Sequence, residues 1–305
     1  MPEWTSGRQA DEVNLAEVNA RLVSRFGPDA EGWLAEVPGL GAKLASRWGF
    51  VLGEMFDSGA SSVVLRCRWP DGTPAVLKLS LDRELVARQE AMLRIFAPSR
   101  RVPAVLAADA DAGAMVLEEV LPGTIAEDLP RESLPQRWGE LLTALHAVPA
   151  PEEWPWDLRG RFDEAFARIG GRLSEPAIGA RIGQADWQRS IQRCESLLDT
   201  QSKRVLLHGD LHLGNVLDGG PERGLIAIDP KACVGDPCFD AVDYVVAGAG
   251  HEGVEARCHQ VATACGLDGD RLYAWSRVIA PMFAIAHLTH GGPAQAIDEL
   301  LALAR

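Results

Sequence analysis

Three oxygen-bearing side chains sit at the ends of short apolar runs, where the chain turns too tightly for a helix and carries too much polarity for a core. Asp210 lies in the loop after Val205-Leu206-Leu207-His208-Gly209, Asn215 follows five residues later, and Asp229 closes the run Leu225-Ile226-Ala227-Ile228. The flanking runs, bounded by Gly, Asp and Asn, read as brief buried strands with loops between them. Two carboxylates and a carboxamide can then converge on one point. Hard oxygen donors in that number suit Mg²⁺, which keeps several waters and takes one or two carboxylates plus phosphate oxygens.

An Asp, a loop, an Asn and a later Asp is also the order of base and metal ligands in protein-kinase-like phosphoryl transfer. That chemistry demands a lysine on an N-terminal strand and a glutamate on the helix behind it. Residues 74–79 read as a strand entered from the Pro70-Asp71-Gly72 turn, with Lys78 near its end. Residues 82–97 read as a helix that brings Val86, Glu90, Leu93 and Ala97 to one face. A glutamate on an apolar face needs a partner, and Lys78 is the natural one. The rival Glu84 falls in the first turn, where the helix dipole already explains it. Upstream, two strands at 50–56 and 62–69 flank Asp57-Ser58-Gly59-Ala60-Ser61, where a kinase folds a loop over the phosphates. Ser58 and Gly59 are its candidate contacts, although a loop with one glycine reads, by itself, as a plain hairpin turn.

The motifs Leu207-His208-Gly209-Asp210 to Asn215, Ile228-Asp229-Pro230-Lys231 and Val234-Gly235-Asp236-Pro237-Cys238-Phe239-Asp240 resemble those of the aminoglycoside phosphotransferase family. Within it they are most similar to the streptomycin 6-kinase and hydroxyurea phosphotransferase branch. The resemblance covers most of the chain from about Phe50 onward. It implies an α+β, bilobal protein-kinase-like fold with a strand-rich first lobe and a mainly helical second one. It also implies a phosphotransferase that uses ATP or GTP with Mg²⁺ and has an alcohol group as acceptor. Carried over by position, Asp210 is the catalytic aspartate, Asn215 and Asp229 are metal ligands, and Lys78, braced by Glu90, contacts the phosphates. Glu118 to Val120 become the interlobe hinge, whose backbone would meet the adenine ring. Pro230 stands where protein kinases place the Phe of an Asp-Phe-Gly triplet, so regulation by flipping that segment is not expected.

Composition agrees with a soluble enzyme: 305 residues suffice for two cores, and 47% apolar with 24% charged residues is ordinary. Residues 1–25 lack the basic start and apolar stretch of a signal peptide, and no run of eighteen apolar residues occurs, so a cytoplasmic enzyme with no membrane partner is expected. The six cysteines show no paired zinc-ligand spacing and read as reduced thiols. The net charge of −13 argues against a nucleic-acid partner and suits a cationic small-molecule acceptor such as an aminoglycoside, equally serving plain solubility. A monomer is expected. Streptomycin phosphorylation, and with it antibiotic resistance, is the leading reading. A kinase of an amino sugar or another metabolite alcohol shares every motif, and a non-catalytic nucleotide-binding protein is disfavoured by the intact Lys78, Asp210, Asn215 and Asp229.

Along the chain, residues 1–49 read as an N-terminal helical extension, with breaks at Gly27-Pro28 and Pro38-Gly39. Residues 50–120 form the nucleotide-binding lobe and 121–305 the catalytic and acceptor-binding lobe. Within the latter, Leu272, Trp275, Ile279, Met282, Phe283 and Ala286 make a helical stripe whose expected role is core packing. His208 and His212 are four apart, but the turn context predicts loop bracing rather than zinc binding. Asp236 and Asp240 read as structural, and Trp154-Pro155-Trp156 as a loop pin or, less favoured, an acceptor wall.

Overall fold

The computed structural model describes residues 15–56 and 61–305. Two compact units emerge, one drawn from residues up to Ala97 together with Pro103–Val120, the other from Pro98–Val102 with Leu121–Arg305.

The first unit begins with α1 (Leu15–Phe26) and α2 (Asp29–Trp48), followed by β1 (Val51–Phe56), β2 (Val63–Arg68), β3 (Pro74–Leu79), α3 (Arg83–Phe96), β4 (Val105–Asp109) and β5 (Ala114–Glu118). The strands form one antiparallel sheet in the order β1-β2-β3-β5-β4. Contrary to the sequence reading, α2 runs straight through Pro38-Gly39. Val37 before that proline and Gly41 and Leu44 after it are buried on one face of α2, and this packing holds the helix continuous despite the lost hydrogen bond. In α1 the buried positions are Val18 and Leu22, whereas Ala16 and Ala20 are exposed. Leu22, Val37 and Leu44 join Leu65, Leu77 and Leu79 in one core cluster.

Register decides where Lys78 points. It lies opposite Val64 on β2 and Met115 on β5. Leu77 and Leu79, alternating with it, enter the core cluster under α1 and α2, so Lys78 projects from the other face of the sheet. It is nonetheless buried. In α3, Asp82 caps the first turn by accepting the Leu85 amide at 2.9 Å.

The second unit contains α4 (Leu134–His146), α5 (Leu158–Gly170), α6 (Pro176–Gly179), α7 (Gln184–Asp199), β6 (Val205–Leu207), β7 (Val216–Asp218), α8 (Gly220–Arg223), β8 (Leu225–Ala227), β9 (Cys233–Gly235), α9 (Phe239–Val246), α10 (Val254–Cys265), α11 (Gly269–His290) and α12 (Ala294–Ala304). Two antiparallel pairs, β6 with β9 and β7 with β8, replace any larger sheet. Beneath them Phe162 stacks on Trp275 at 5.3 Å between ring centroids and meets Phe239 edge-on. A strand-rich unit and a mainly helical one make the α+β class expected from sequence. Among the described residues no helix is long and apolar enough to cross a membrane.

Candidate active site

The β7–β8 hairpin sets Val216 opposite Ala227, and the Ile228 amide donates to the Asn215 carbonyl at 2.9 Å. Asn215 and Asp229 therefore leave the same end of the hairpin. Asp229 takes a left-handed backbone conformation, φ 57°, which Asp tolerates better than a branched residue does. The Asn215 side-chain amide donates to the Asp210 carbonyl at 2.9 Å and to its carboxylate at 3.3 Å, leaving Oδ1 available. Asn215 thus touches Asp210 directly, and the backbone pairing sets Asp229 next to Asn215. One carboxylate and one carboxamide oxygen fit a hard cation whose other ligands are water and phosphate oxygens. Among the described residues no cluster of three His, Cys, Asp or Glu could cage a metal by itself.

Two cations grip the catalytic candidate. Lys231 Nζ lies 2.8 Å and Arg161 3.1 Å from the Asp210 carboxylate oxygens. Burial pushes this carboxyl up, but the charge and hydrogen bond of Lys231 and the charge of Arg161 outweigh it and hold Asp210 below the usual carboxylate range. Lys231 belongs to the quoted motif without an assigned role, and Arg161, 49 residues away on α5, was not anticipated at all. No local pattern marks it.

The loop is braced from below. Asp240, almost wholly buried, accepts the amides of His208 and Gly209, each at 2.8 Å, and faces His146 Nε2 at 3.0 Å. Burial raises the Asp240 pKa, yet the His146 contact and the Gly209 amide more than offset it and keep the group ionised. Gly209 has φ 81°, and a Cβ there would collide with the Lys231 carbonyl, so only glycine fits this turn. His212 Nδ1 accepts the Gly214 amide at 3.1 Å and caps the turn that presents Asn215, a loop role rather than a metal one. Asp236 accepts Trp275 Nε1 at 2.9 Å and the Cys238 amide at 3.0 Å and pairs with Arg271. Trp154 Nε1 donates to the Ala232 carbonyl at 3.3 Å, and the Val234 amide to the Trp156 carbonyl at 3.0 Å. That pair of tryptophans pins a loop.

In the first unit one expectation needs correction. Glu90 is engaged by Arg94 on its own helix, Oε1 to Nε 2.9 Å, and not by Lys78. The buried face of α3 is Val86, Gln89, Met92, Leu93 and Phe96, one residue round from the anticipated stripe, which turns Glu90 towards the i+4 arginine. Gln89 occupies the interior, and its Oε1 has no hydrogen-bond partner. At the anticipated hinge, the Glu118 amide donates to the Ala104 carbonyl at 2.9 Å and its carboxylate accepts the Ala104 amide at 3.1 Å. Glu119 pairs with Arg66 at 2.8 Å. The Val120 backbone forms no hydrogen bond among the described residues. Ser58 and Gly59 lie outside the described residues.

Beside Asp210 opens a cavity of about 270 Å³ between α5, α9 and α11. Arg161, Asp210 and Asp243 supply its charged groups. The rest of its wall is apolar, and here the α11 stripe divides: Leu272 and Trp275 are buried away from the cavity, as expected, Ile279 is buried at its wall, and Met282 and Phe283 are half-exposed and line it. Helical period alone does not separate core from pocket wall.

These features can be set against known proteins. Residues 47–291 match the family model of the aminoglycoside/hydroxyurea antibiotic resistance kinases. The chain is 32% identical over 274 residues to a hydroxyurea phosphotransferase of Kitasatospora aureofaciens, covering 86% of this chain and 77% of that one. It is 33% identical over 232 residues to a streptomycin 6-kinase of Streptomyces glaucescens, covering 75% and 73%. Its fold matches that of APH(2")-IIa in a streptomycin-ATP ternary complex with a TM-score of 0.57 at 13% identity, covering 87% and 95%. The fold is protein-kinase-like, and the chain is a phosphotransferase that belongs to the aminoglycoside/hydroxyurea antibiotic resistance kinase family.

Proposed function

We propose that this phosphotransferase transfers the γ-phosphoryl group of ATP or GTP, with Mg²⁺, to a hydroxyl of a cationic small molecule, streptomycin being the first acceptor to test. The observation that carries the reading is the convergence of Asp210, Asn215 and Asp229, with Asp210 held ionised by Lys231 and Arg161. Asp210 accepts the acceptor hydroxyl's hydrogen bond and orients its oxygen in line with the γ-phosphorus. The new O–P bond forms as the bond to the β-phosphate's bridging oxygen breaks, the hydroxyl proton passes to Asp210, and the nucleoside diphosphate leaves. Asn215 and Asp229 would hold the metal ion, which would supply positive charge towards the phosphates when bound. Lys78 is assigned to the α- and β-phosphates, and the Val120 backbone to the base. Positioning and charge neutralisation supply most of the acceleration in this chemistry.

The streptomycin and hydroxyurea relatives support the acceptor class, and the net charge of −13 favours a cation. The test is a panel of streptomycin, other aminoglycosides, hydroxyurea and amino sugars with γ-labelled ATP and GTP. Labelled streptomycin is expected. Transfer to an amino sugar alone would replace streptomycin by the metabolite reading, and nucleotide binding without transfer to any acceptor would overturn the catalytic one.

A further inference from the structure

The cavity beside Asp210 carries chemistry that the phosphoryl-transfer roles leave unused. Three charged groups line it, and two are already spoken for, since Arg161 is spent on Asp210 and Asp210 on the acceptor hydroxyl. Asp243 is the third. It projects from α9 one turn beyond Asp240, is only half-buried, and its carboxyl forms no hydrogen bond or ion pair with any described residue, its carbonyl alone accepting the Ala247 amide at 3.1 Å. A carboxyl at the wall of a mainly apolar cavity without a protein partner is costly unless something else satisfies it. Burial, and after it the Asp210 carboxylate, push Asp243 up to about 7, with Asp240 adding to the rise and Arg161 and Lys231 opposing it.

The remaining wall is built from side chains that a closed core would have covered. Ile169, Phe239, Met282 and Phe283 come from three helices and are each half-exposed towards this space. A wholly hydroxylated, polycationic ligand would leave such a wall poorly matched. Apolar surface at a binding site gains most from a ligand with an apolar face.

We propose that this cavity seats the acceptor, that Asp243 receives a single ammonium or guanidinium group of it, and that Phe239, Met282 and Phe283 cover an apolar face of its skeleton. The proposal rests on the phosphoryl-transfer reading, because Asp210 at the cavity's edge is what makes its occupant the acceptor. The favoured substrate class is accordingly an amphiphilic organic cation bearing a hydroxyl. Within an aminoglycoside-sized substrate, only the portion carrying one cation and an apolar patch would enter.

The experiment compares N-benzylethanolamine, a monocationic alcohol with an aromatic face, with its neutral N-acetyl derivative. Binding to the full-length protein is measured calorimetrically for wild type, Asp243→Asn and Phe283→Ser, each checked for folding by its thermal melt. Wild type is expected to bind the amine at least tenfold more tightly than the amide. Asp243→Asn should abolish that preference, while Phe283→Ser should weaken both compounds and keep it. No binding of the amine to wild type, or a preference that survives in Asp243→Asn, overturns the proposal. If Asp243→Asn does not fold, Asp243→Ser takes its place with the same expected loss. Failure of the phosphoryl-transfer reading is distinguishable, because it would appear as absent acceptor-dependent nucleotide turnover by wild type with the binding preference intact.

Discussion

The Lys231 ammonium lies 2.8 Å from the Asp210 carboxylate, and Arg161 approaches its other oxygen at 3.1 Å. Both cations favour the ionised form, so Asp210 can act as a hydrogen-bond acceptor across the neutral range. Asp210→Asn is expected to lower kcat by about 10²–10⁴-fold while nucleotide affinity stays nearly unchanged. Lys231→Met removes one cation, so the Asp210 pKa rises and the acid limb of the kcat profile moves to higher pH. Wild-type turnover by Asp210→Asn, or an unmoved acid limb in Lys231→Met, would contradict these roles.

Asp229 sits where the β8 run ends, beside an Asn215 whose amide hydrogen is committed to Asp210. In the proposed site, removing its carboxylate would leave the metal one protein ligand. Asp229→Ala should raise the Mg²⁺ concentration for half-maximal turnover by at least about tenfold. A titration curve that superimposes on that of the wild type would remove Asp229 from the metal site.

Asp240 satisfies two loop amides and His146 from a buried position. Asp240→Ala strands those amides and is expected to cost about 3 kcal/mol or more in urea unfolding. The sign with pH follows from its depressed pKa. Its contribution is present above the carboxylate pKa of the unfolded chain and is lost as pH falls through the lower folded value. The wild-type advantage over Asp240→Ala should therefore shrink on acidification, and an advantage independent of pH would show that charge plays no part.

Glu90 pairs with an exposed arginine in its own helix. Such pairs contribute about 0.3–0.5 kcal/mol, so Glu90→Ala should barely change stability or the nucleotide KM. A tenfold rise in that KM would restore Glu90 as the brace of Lys78.

Asp243 behaves oppositely to Asp240. Its folded pKa, about 7, lies above the ordinary 3.8, so the folded chain holds this proton more tightly than the unfolded one. Stability is then lost as pH rises between those two values, and the loss is complete above the folded one. Asp243→Asn should be more stable than wild type at pH 8, with the difference vanishing near pH 4. Equal stabilities at pH 8 would mean that this carboxyl ionises freely.

What was legible in the sequence is what short range decides. The Asp210 loop, the β7–β8 hairpin carrying Asn215 and Asp229, and Lys78 on β3 all follow from turn residues, apolar runs and their order, since each is positioned by neighbours within a few residues. Where a helix meets its partner is a longer-range matter. Glu90 and Gln89 are adjacent on α3, and one residue of rotation exchanged the surface for the interior. Nothing local distinguishes them.

By itself, then, the sequence determined the order of the residues proposed for phosphoryl transfer and the two-lobed fold class that carries them. Tertiary structure alone decided that Arg161 from α5 reaches Asp210, which two amides and which histidine the structural Asp240 engages, and that Met282 and Phe283 leave the α11 core stripe to line a cavity with Asp243. The physical reason is the same in each case. Helical periodicity says which residues share a face, but only the packing of one helix against another says what that face meets.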